Sequence, residues 1–448
     1  MTPQEATRYL ESREVFGMRF GLERMRAVLH GLGDPHRRAP AVHVVGTNGK
    51  SSTTRFAAAA LRSQGLRVGS YVSPHVDGWN ERIRVDEAAV DPQRFADAIG
   101  QVANCAERTL TDPDDVFTQF EVLTAAAFVV FADAEVHAVV VEAGLGGRFD
   151  ATNVFDGAST VALTGISLEH TAILGTTERA IAEEKLAVAP DGSSRVVVGA
   201  LSAAATEPVH AICAERRLHP WFVGDDVVVA HGDGGDFSVR TPAARYEHLR
   251  LGAMGGFQVD NAATAVAVVE RHLDRPLDAG PLRSALAGVH VPGRLELVPG
   301  EPPIVLDGAH NPEGMDALAR SVPQLVGERP VVAVISIFSD KDVRLMCTYV
   351  ERFARQAVVT RSTSPRALDP AVIAAELAAV GVRSVIEPSP QRALATAGAM
   401  AGAEGAVVVC GSLGLLADIR NIALQGWSGR PGMLARGNAP EIVKKPER

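Results

Sequence analysis

The chain has 448 residues, 46% of them hydrophobic and 22% charged, with a formal net charge of −9. That is globular composition with apolar material for two or three domains, which excludes a disordered or fibrous chain. The acidic balance argues against a dedicated nucleic-acid binder. Four scattered cysteines without a CxxC pair read as reduced thiols of a cytoplasmic protein. No apolar run reaches the ~18 residues of a membrane span, and the charged N-terminus lacks the apolar core of a signal peptide.

In chain order, AVHVV (41–45), HAVVVEAG (137–144) and TVALTGIS (160–167) predict buried parallel strands. Helical stretches such as Thr53–Gln64 and Glu121–Ala132 lie between them. The alternation is that of a doubly wound α/β sheet. Residues 191–255 carry short Val-rich runs and GDGGDFSV, which predict a small antiparallel section. After PGRLE (292–296) a second α/β series begins, with strands expected at PIVLDGA (303–309), PVVAVIS (330–336), QAVVT (356–360), RSVIE (383–387) and AVVVCGS (406–412). The domain boundary falls near 291–297. The Gly-, Pro- and charge-rich residues 426–448 predict a loosely held tail.

The strongest chemical signal is Gly46-Thr47-Asn48-Gly49-Lys50-Ser51-Ser52 between a strand and a helix. There, glycines let backbone N–H groups approach phosphate, a lysine supplies a point charge, and Ser51 or Ser52 can meet Mg²⁺ or a phosphate oxygen. The general phosphate-loop pattern asks for glycine at position 44, where this chain has Val44. Ser73, Glu142 and His170 each follow a predicted strand. Ligands of doubly wound sheets gather at such ends, so these residues are candidate metal ligands; taken singly, each also reads as a turn residue, a salt-bridged strand end or an ordinary histidine. Lys185 in Glu183-Glu184-Lys185 reads by itself as a surface lysine.

Together these pieces resemble the folylpolyglutamate synthase/dihydrofolate synthase family of the Mur-ligase superfamily. The matching stretches are GTNGKSS, SPH with NERI, EAGLGGRFDATN, LEHT with EEK, Asp260-Asn261-Ala262, PGRLE, DGAHNP, SDKD and CGSL, in family order from about residue 16 to 418. The resemblance implies an N-terminal P-loop ATPase-type doubly wound domain with a small added sheet (1–293) and a C-terminal Rossmann-like glutamate-ligase domain (294–425). It implies ATP held by Thr47, Asn48, Gly49, Lys50, Ser51, Ser52, Asn261, Arg294 and Asp307. It implies two Mg²⁺ on Ser73, Glu142, His170 and a carbamylated Lys185, with Lys50, Lys185 and His170 serving catalysis. It places the pterin or folate near Met18, Arg19, Phe20 and Gly21, near Thr118, Gln119, Phe120 and Glu121, and near Phe149, Asp150 and Ala151. Glutamate would lie near His310, Asn311 and Ser412. Ser51 departs from the glycine common after the loop lysine in that family.

The implied reaction joins L-glutamate to dihydropteroate, to the glutamate tail of a reduced folate, or to both. ATP would phosphorylate the acceptor carboxylate, and the glutamate amine would attack the acyl phosphate. The Asp150 carboxylate is expected to accept two N–H bonds from a pterin edge, with a turn cap as the alternative. The partners expected are small molecules, acting on a monomer without nucleic acid or membrane. The competing readings are a Mur-type peptidoglycan ligase and a P-loop ATPase without ligase activity.

Overall fold

In a computed structural model, residues 1–13, 21–112, 115–157 and 159–425 are described. The tail 426–448 and the candidates Met18, Arg19 and Phe20 lie outside them. The chain divides into two compact units, one running from Met1 to Pro292 and the other beginning at Gly293.

The first unit is built on strands β1 (Ala41–Val45), β2 (Val68–Tyr71), β3 (Ile83–Val85), β4 (Ala88–Ala89), β5 (Ala138–Glu142), β6 (Thr160–Leu163), β7 (Val196–Val198) and β8 (Trp221–Phe222). They form one sheet in the order β4-β3-β2-β5-β1-β6-β7-β8. It is parallel from β2 to β8, and β3 and β4 add an antiparallel edge. β1, β5 and β6 are buried along their whole length, because helices cover both faces of a parallel sheet and no position is left for a polar alternation. One face packs on Pro92–Thr109 and Gln119–Asp133, the other on Lys50–Ser63 and Phe257–Leu273. The helix Gln119–Asp133 is apolar nearly all round and buried accordingly.

The section expected to be antiparallel over 191–255 is narrower. β7 and β8 extend the main parallel sheet, and Ala203–Glu215 between them is helical. Only β9 (Val228–His231), β10 (Phe237–Arg240) and β11 (Arg245–Leu249) make the small antiparallel sheet. Its inward residues Phe237, Val239, Tyr246 and Leu249 join the same core as the helix Phe257–Leu273.

The second unit holds β12 (Glu296–Val298), β13 (Ile304–Leu306), β14 (Val331–Ile335), β15 (Gln356–Val359), β16 (Arg383–Ile386) and β17 (Ala406–Cys410). Their order is β12-β13-β17-β14-β15-β16, with β12 alone antiparallel to its neighbour. All four cysteines are buried and unpaired. Among the described residues, no helix is long and apolar enough to cross a membrane.

Candidate active site

The loop 46–49 leaves β1 and feeds the helix Lys50–Ser63, and two of its glycines are sterically required. Gly46 has φ 151°, and a Cβ there would lie 2.0 Å from Thr164 Oγ1. Gly49 has φ 85°, and its Cβ would meet Asn261 Oδ1 at 2.3 Å. The loop is clamped from β6 outward: Thr47 N–H donates to the Gly165 carbonyl (2.9 Å), and Thr164 Oγ1 donates to the Asn48 carbonyl (2.6 Å). Asn261 lies beside this turn and donates to Gln258 Oε1 (3.0 Å). Lys50 Nζ donates to the carbonyls of Gly46 and Thr47, each at 2.9 Å. The lysine thus closes over its own loop, holding a cation where a helix N-terminus already favours anions.

Glu142 gathers the adjacent strand ends. Its Oε1 accepts from Ser51 Oγ (2.9 Å) and its Oε2 from the Ser73 backbone N–H (3.0 Å). Strand order explains this: β5 lies between β1 and β2, so the carboxyl ends of all three are neighbours. Ser51 is therefore the hydroxyl turned to the acidic residue, while Ser52 is buried in the helix.

Lys185 is not a surface residue. It is 4% exposed, and its Nζ donates to the Gly46 carbonyl (2.7 Å). Burial, then the nearby charge of Lys50, pulls its ammonium down to about 7. The glycine loop after β5 seats its helix: a Cβ on Gly147 would fall 2.7 Å from the Glu184 carbonyl and 2.8 Å from that of Lys185, and Arg148 pairs with Glu184 at 3.2 Å. His170 caps the turn after β6 in the left-handed conformation, φ 51°, with its Nε2 3.8 Å from Glu169 Oε1.

The donor types fit a hard divalent cation in part. Glu142, Ser51 and Ser73 offer oxygen at one locus, as Mg²⁺ prefers. No cluster of three or more His, Cys, Asp or Glu able to hold a metal occurs among the described residues. Coordination here would be completed by hydroxyl oxygen, substrate phosphate and water.

The positions expected around a pterin are held by contacts within the protein. Asp150 is buried, and its oxygens accept from Leu145 N (2.8 Å), Thr152 N (3.0 Å) and Thr152 Oγ1 (2.5 Å). The carboxylate thus braces its own glycine loop, and burial raises its pKa. Thr118 and Glu121 form the capping box of the helix Gln119–Asp133, and Glu121 also pairs with Arg24 at 3.2 Å. Gln119 Nε2 donates to the Leu10 carbonyl (2.8 Å). Phe120 supports the loop: a Cβ on Gly144 would come 2.5 Å from its ring. Phe149 is 43% exposed and Ala151 is buried. Gly21 opens the segment Gly21-Leu22 with φ 128°.

In the second unit, buried Asp307 accepts from Leu295 N and Ala309 N, each at 2.8 Å, and burial raises its pKa. Arg294 packs over Gly308, where a Cβ would lie 2.2 Å from its Nη1. Asn311 and Ser412 are the N-caps of Pro312–Val326 and Leu413–Leu424, accepting from Gly314 N (2.8 Å) and Leu415 N (3.2 Å). Since β13 and β17 are neighbours, both helix N-termini open on the same sheet end. His310 Nδ1 lies 2.8 Å from the Gly308 carbonyl. Sequence reasoning missed Thr164, the clamp of the phosphate loop. It also missed Arg420, whose buried guanidinium makes two 2.7 Å bonds to the Glu296 carboxylate. Neither has a local signature.

A phosphate loop on a doubly wound sheet, followed by a second α/β unit whose residues 293–413 match the Mur ligase glutamate ligase domain, defines a Mur-type ligase. The chain is 34% identical over 373 residues to the dihydrofolate synthase/folylpolyglutamate synthase of Bacillus subtilis, covering 81% of this chain and 86% of the relative. Among solved structures, Mycobacterium tuberculosis folylpolyglutamate synthase complexed with ADP superposes with a TM-score of 0.87 at 29% identity, covering 95% of this chain and 98% of that one. The Yersinia pestis bifunctional folylpolyglutamate synthase/dihydrofolate synthase with Mn, AMPPNP and L-glutamate bound gives 0.82 at 28% identity, covering 94% and 98%. The chain belongs to the dihydrofolate synthase/folylpolyglutamate synthase family.

Proposed function

We propose that this protein is an ATP-dependent ligase of the cytoplasm, acting as a monomer, that joins L-glutamate to dihydropteroate, to the glutamate tail of a reduced folate, or to both. The observation that carries the reading is the convergence of Lys50, Ser51, Glu142 and buried Lys185 on one phosphate loop. A carboxylate is a poor electrophile, so an amide needs it activated. Transfer of the γ-phosphoryl group to the acceptor carboxylate breaks the bond to ADP and makes an acyl phosphate. The glutamate amine then adds to that carbonyl, loses a proton, and phosphate leaves.

The chain's part in this is positioning and charge offset. Thr47, Asn48 and Gly49 present the loop backbone, and Lys50 turns its charge to the β/γ-phosphates. Asn261, Arg294 and Asp307 serve the nucleotide. Ser51, Ser73 and Glu142 would hold one Mg²⁺, and His170 with a modified Lys185 would hold a second. The metal ions supply positive charge between an anionic nucleotide and an anionic acceptor. A Lys185 amine with its ammonium lowered to about 7 has a large neutral fraction near neutral pH. That form adds CO₂, giving an N-carboxylate and releasing one proton. Phe149, Asp150 and Ala151, with Thr118, Gln119, Phe120 and Glu121 and the segment that includes Met18, Arg19, Phe20 and Gly21, are the proposed pterin side. The backbone amides at the starts of Pro312–Val326 and Leu413–Leu424, with His310, are the proposed glutamate side.

The deciding experiment is product analysis by mass spectrometry with Mg-ATP, L-glutamate and either dihydropteroate or tetrahydrofolate. A mass gain of one glutamyl residue on either acceptor is the expected result. Phosphate release that needs neither acceptor nor glutamate would reduce the protein to an ATPase.

A further inference from the structure

A cavity of the first unit lies apart from the phosphate loop. It measures about 730 Å³ and lies between the helix Lys50–Ser63, the β3–β4 hairpin and the helix Ala279–Gly288. That is within the ~300–1,000 Å³ of small-molecule sites. Arg55 enters it five residues after Lys50, about 140° around the same helix at 3.6 residues per turn. The two cations therefore serve different faces.

Arg55 is only 7% exposed, yet it makes no hydrogen bond or ion pair to any described residue. Burial lowers its pKa, and the charge of Arg84 lowers it further. Arg84 gives one Nη to the Glu87 carbonyl, but its Nε is buried without a partner among the described residues. Glu87 and then Glu81 supply the opposing charge toward Arg55, but neither closes a hydrogen bond or ion pair on its guanidinium, and the Glu81 oxygens accept from the backbone of Val76 (2.5 Å) and Asp77 (3.2 Å). Glu87 Oε1 is also buried with no partner. A mostly buried guanidinium without a hydrogen-bonding acceptor is costly. An oxyanion between Arg55 and Arg84 meets both needs, since guanidinium binds carboxylate and phosphate in a bidentate fashion. A donor on the same ligand satisfies Glu87. Ala59, Ala285 and Val289 supply an apolar wall.

We propose that this cavity is a second ligand site, distinct from the phosphate loop, for a small dianion that carries carboxylate or phosphate oxygens together with an N–H or O–H donor. Two sources share that chemistry, an acidic γ-glutamyl peptide and a phosphate ester.

Calorimetric titration with γ-glutamylglutamate and, separately, with glycerol phosphate tests it. Both are run on the wild type, Lys50→Ala, Arg55→Gln and Ser284→Trp. Ser284 is exposed at the cavity rim, so the tryptophan blocks the space without entering the core. The expected pattern is binding of at least one probe that survives in Lys50→Ala and weakens at least tenfold in both Arg55→Gln and Ser284→Trp. Whichever probe shows it names the source. Without ligand, Arg55→Gln should be as heat-stable as the wild type, because Arg55 closes no hydrogen bond or ion pair and its mostly buried charge is costly. Absence of binding by both probes, or binding indifferent to both cavity variants, overturns the proposal. So does a less stable Arg55→Gln whose parent no probe stabilises, since Arg55 would then be paired within the protein.

Discussion

The carboxyl ends of the two sheets use their polar side chains in different ways. In the first unit, Lys50, Ser51 and Glu142 stand around the phosphate loop, and each is bonded mainly to another member of the same locus. In the second unit, Asp307, Asn311 and Ser412 are bonded to backbone N–H groups of their own turns and helix starts. The first arrangement gathers charge at one strand-end locus, where the proposed nucleotide would lie. The second preorganises backbone and leaves helix N-termini to do the recognising. On the proposed function, one α/β plan would support a side-chain site and a backbone site, and variants at the two should fail differently: chemistry at the first, stability at the second.

The sharpest break is Lys50→Ala. Loss of a preorganised charge at the transferring phosphate should cut turnover by roughly 10²–10³, about 3–4 kcal/mol, with thermal unfolding nearly unchanged. Steady-state ligase kinetics and a melting curve check it together. Near-normal turnover would remove the phosphate loop from the chemistry.

Lys185 gives a pH test. Its folded pKa of about 7 lies below the ordinary lysine value of 10.5. Between those values the unfolded chain binds a proton that the folded one does not, so this group's contribution to stability is complete above pH 10.5 and is lost as pH falls toward 7. In CO₂-free buffer, Lys185→Met should therefore gain stability over the wild type as pH is lowered from about 10 to 7. The difference should be on the order of a few kcal/mol, read by denaturant melts. A pH-independent difference would mean that the amine is solvated.

Asp150→Asn probes whether the brace is structural. The amide turns a donor toward Leu145 N–H or Thr152 N–H, and a mispaired buried bond costs about 2 kcal/mol. Melting temperature should drop, with folate and nucleotide affinity falling together as the loop that seats Lys185 loosens. A selective loss of pterin affinity at unchanged stability would restore the ligand-facing role.

The smallest effect belongs to the backbone site. Asn311→Ala and Ser412→Ala should each destabilise the second unit by about 1 kcal/mol, the usual loss of an N-cap. They should raise the KM for glutamate more than they lower kcat. A collapse of kcat alone would make either side chain part of the chemistry.

The sequence by itself determined the central strands β1, β5 and β6, the five strands β13 to β17 of the second unit and the phosphate loop. Runs such as AVHVV and AVVVE have few conformational alternatives once both faces are covered, and Gly46 and Gly49 occupy backbone that a Cβ would forbid. It also placed Glu142, because a charge ending a Val run must lie at a strand end. Tertiary structure decided where the other side chains point. Whether Lys185 is a surface or a buried lysine depends on a carbonyl 139 residues away. Glu296 meets Arg420 across 124 residues, and Thr164 finds the phosphate loop only because β6 pairs with β1. β7 and β8 were hidden among short Val-rich runs, since a short strand has the same local pattern in a parallel sheet as in a hairpin. Asp150 turned inward for the same kind of reason: a loop carboxylate goes to the nearest unmet N–H donors, and those are set by how the chain closes on itself.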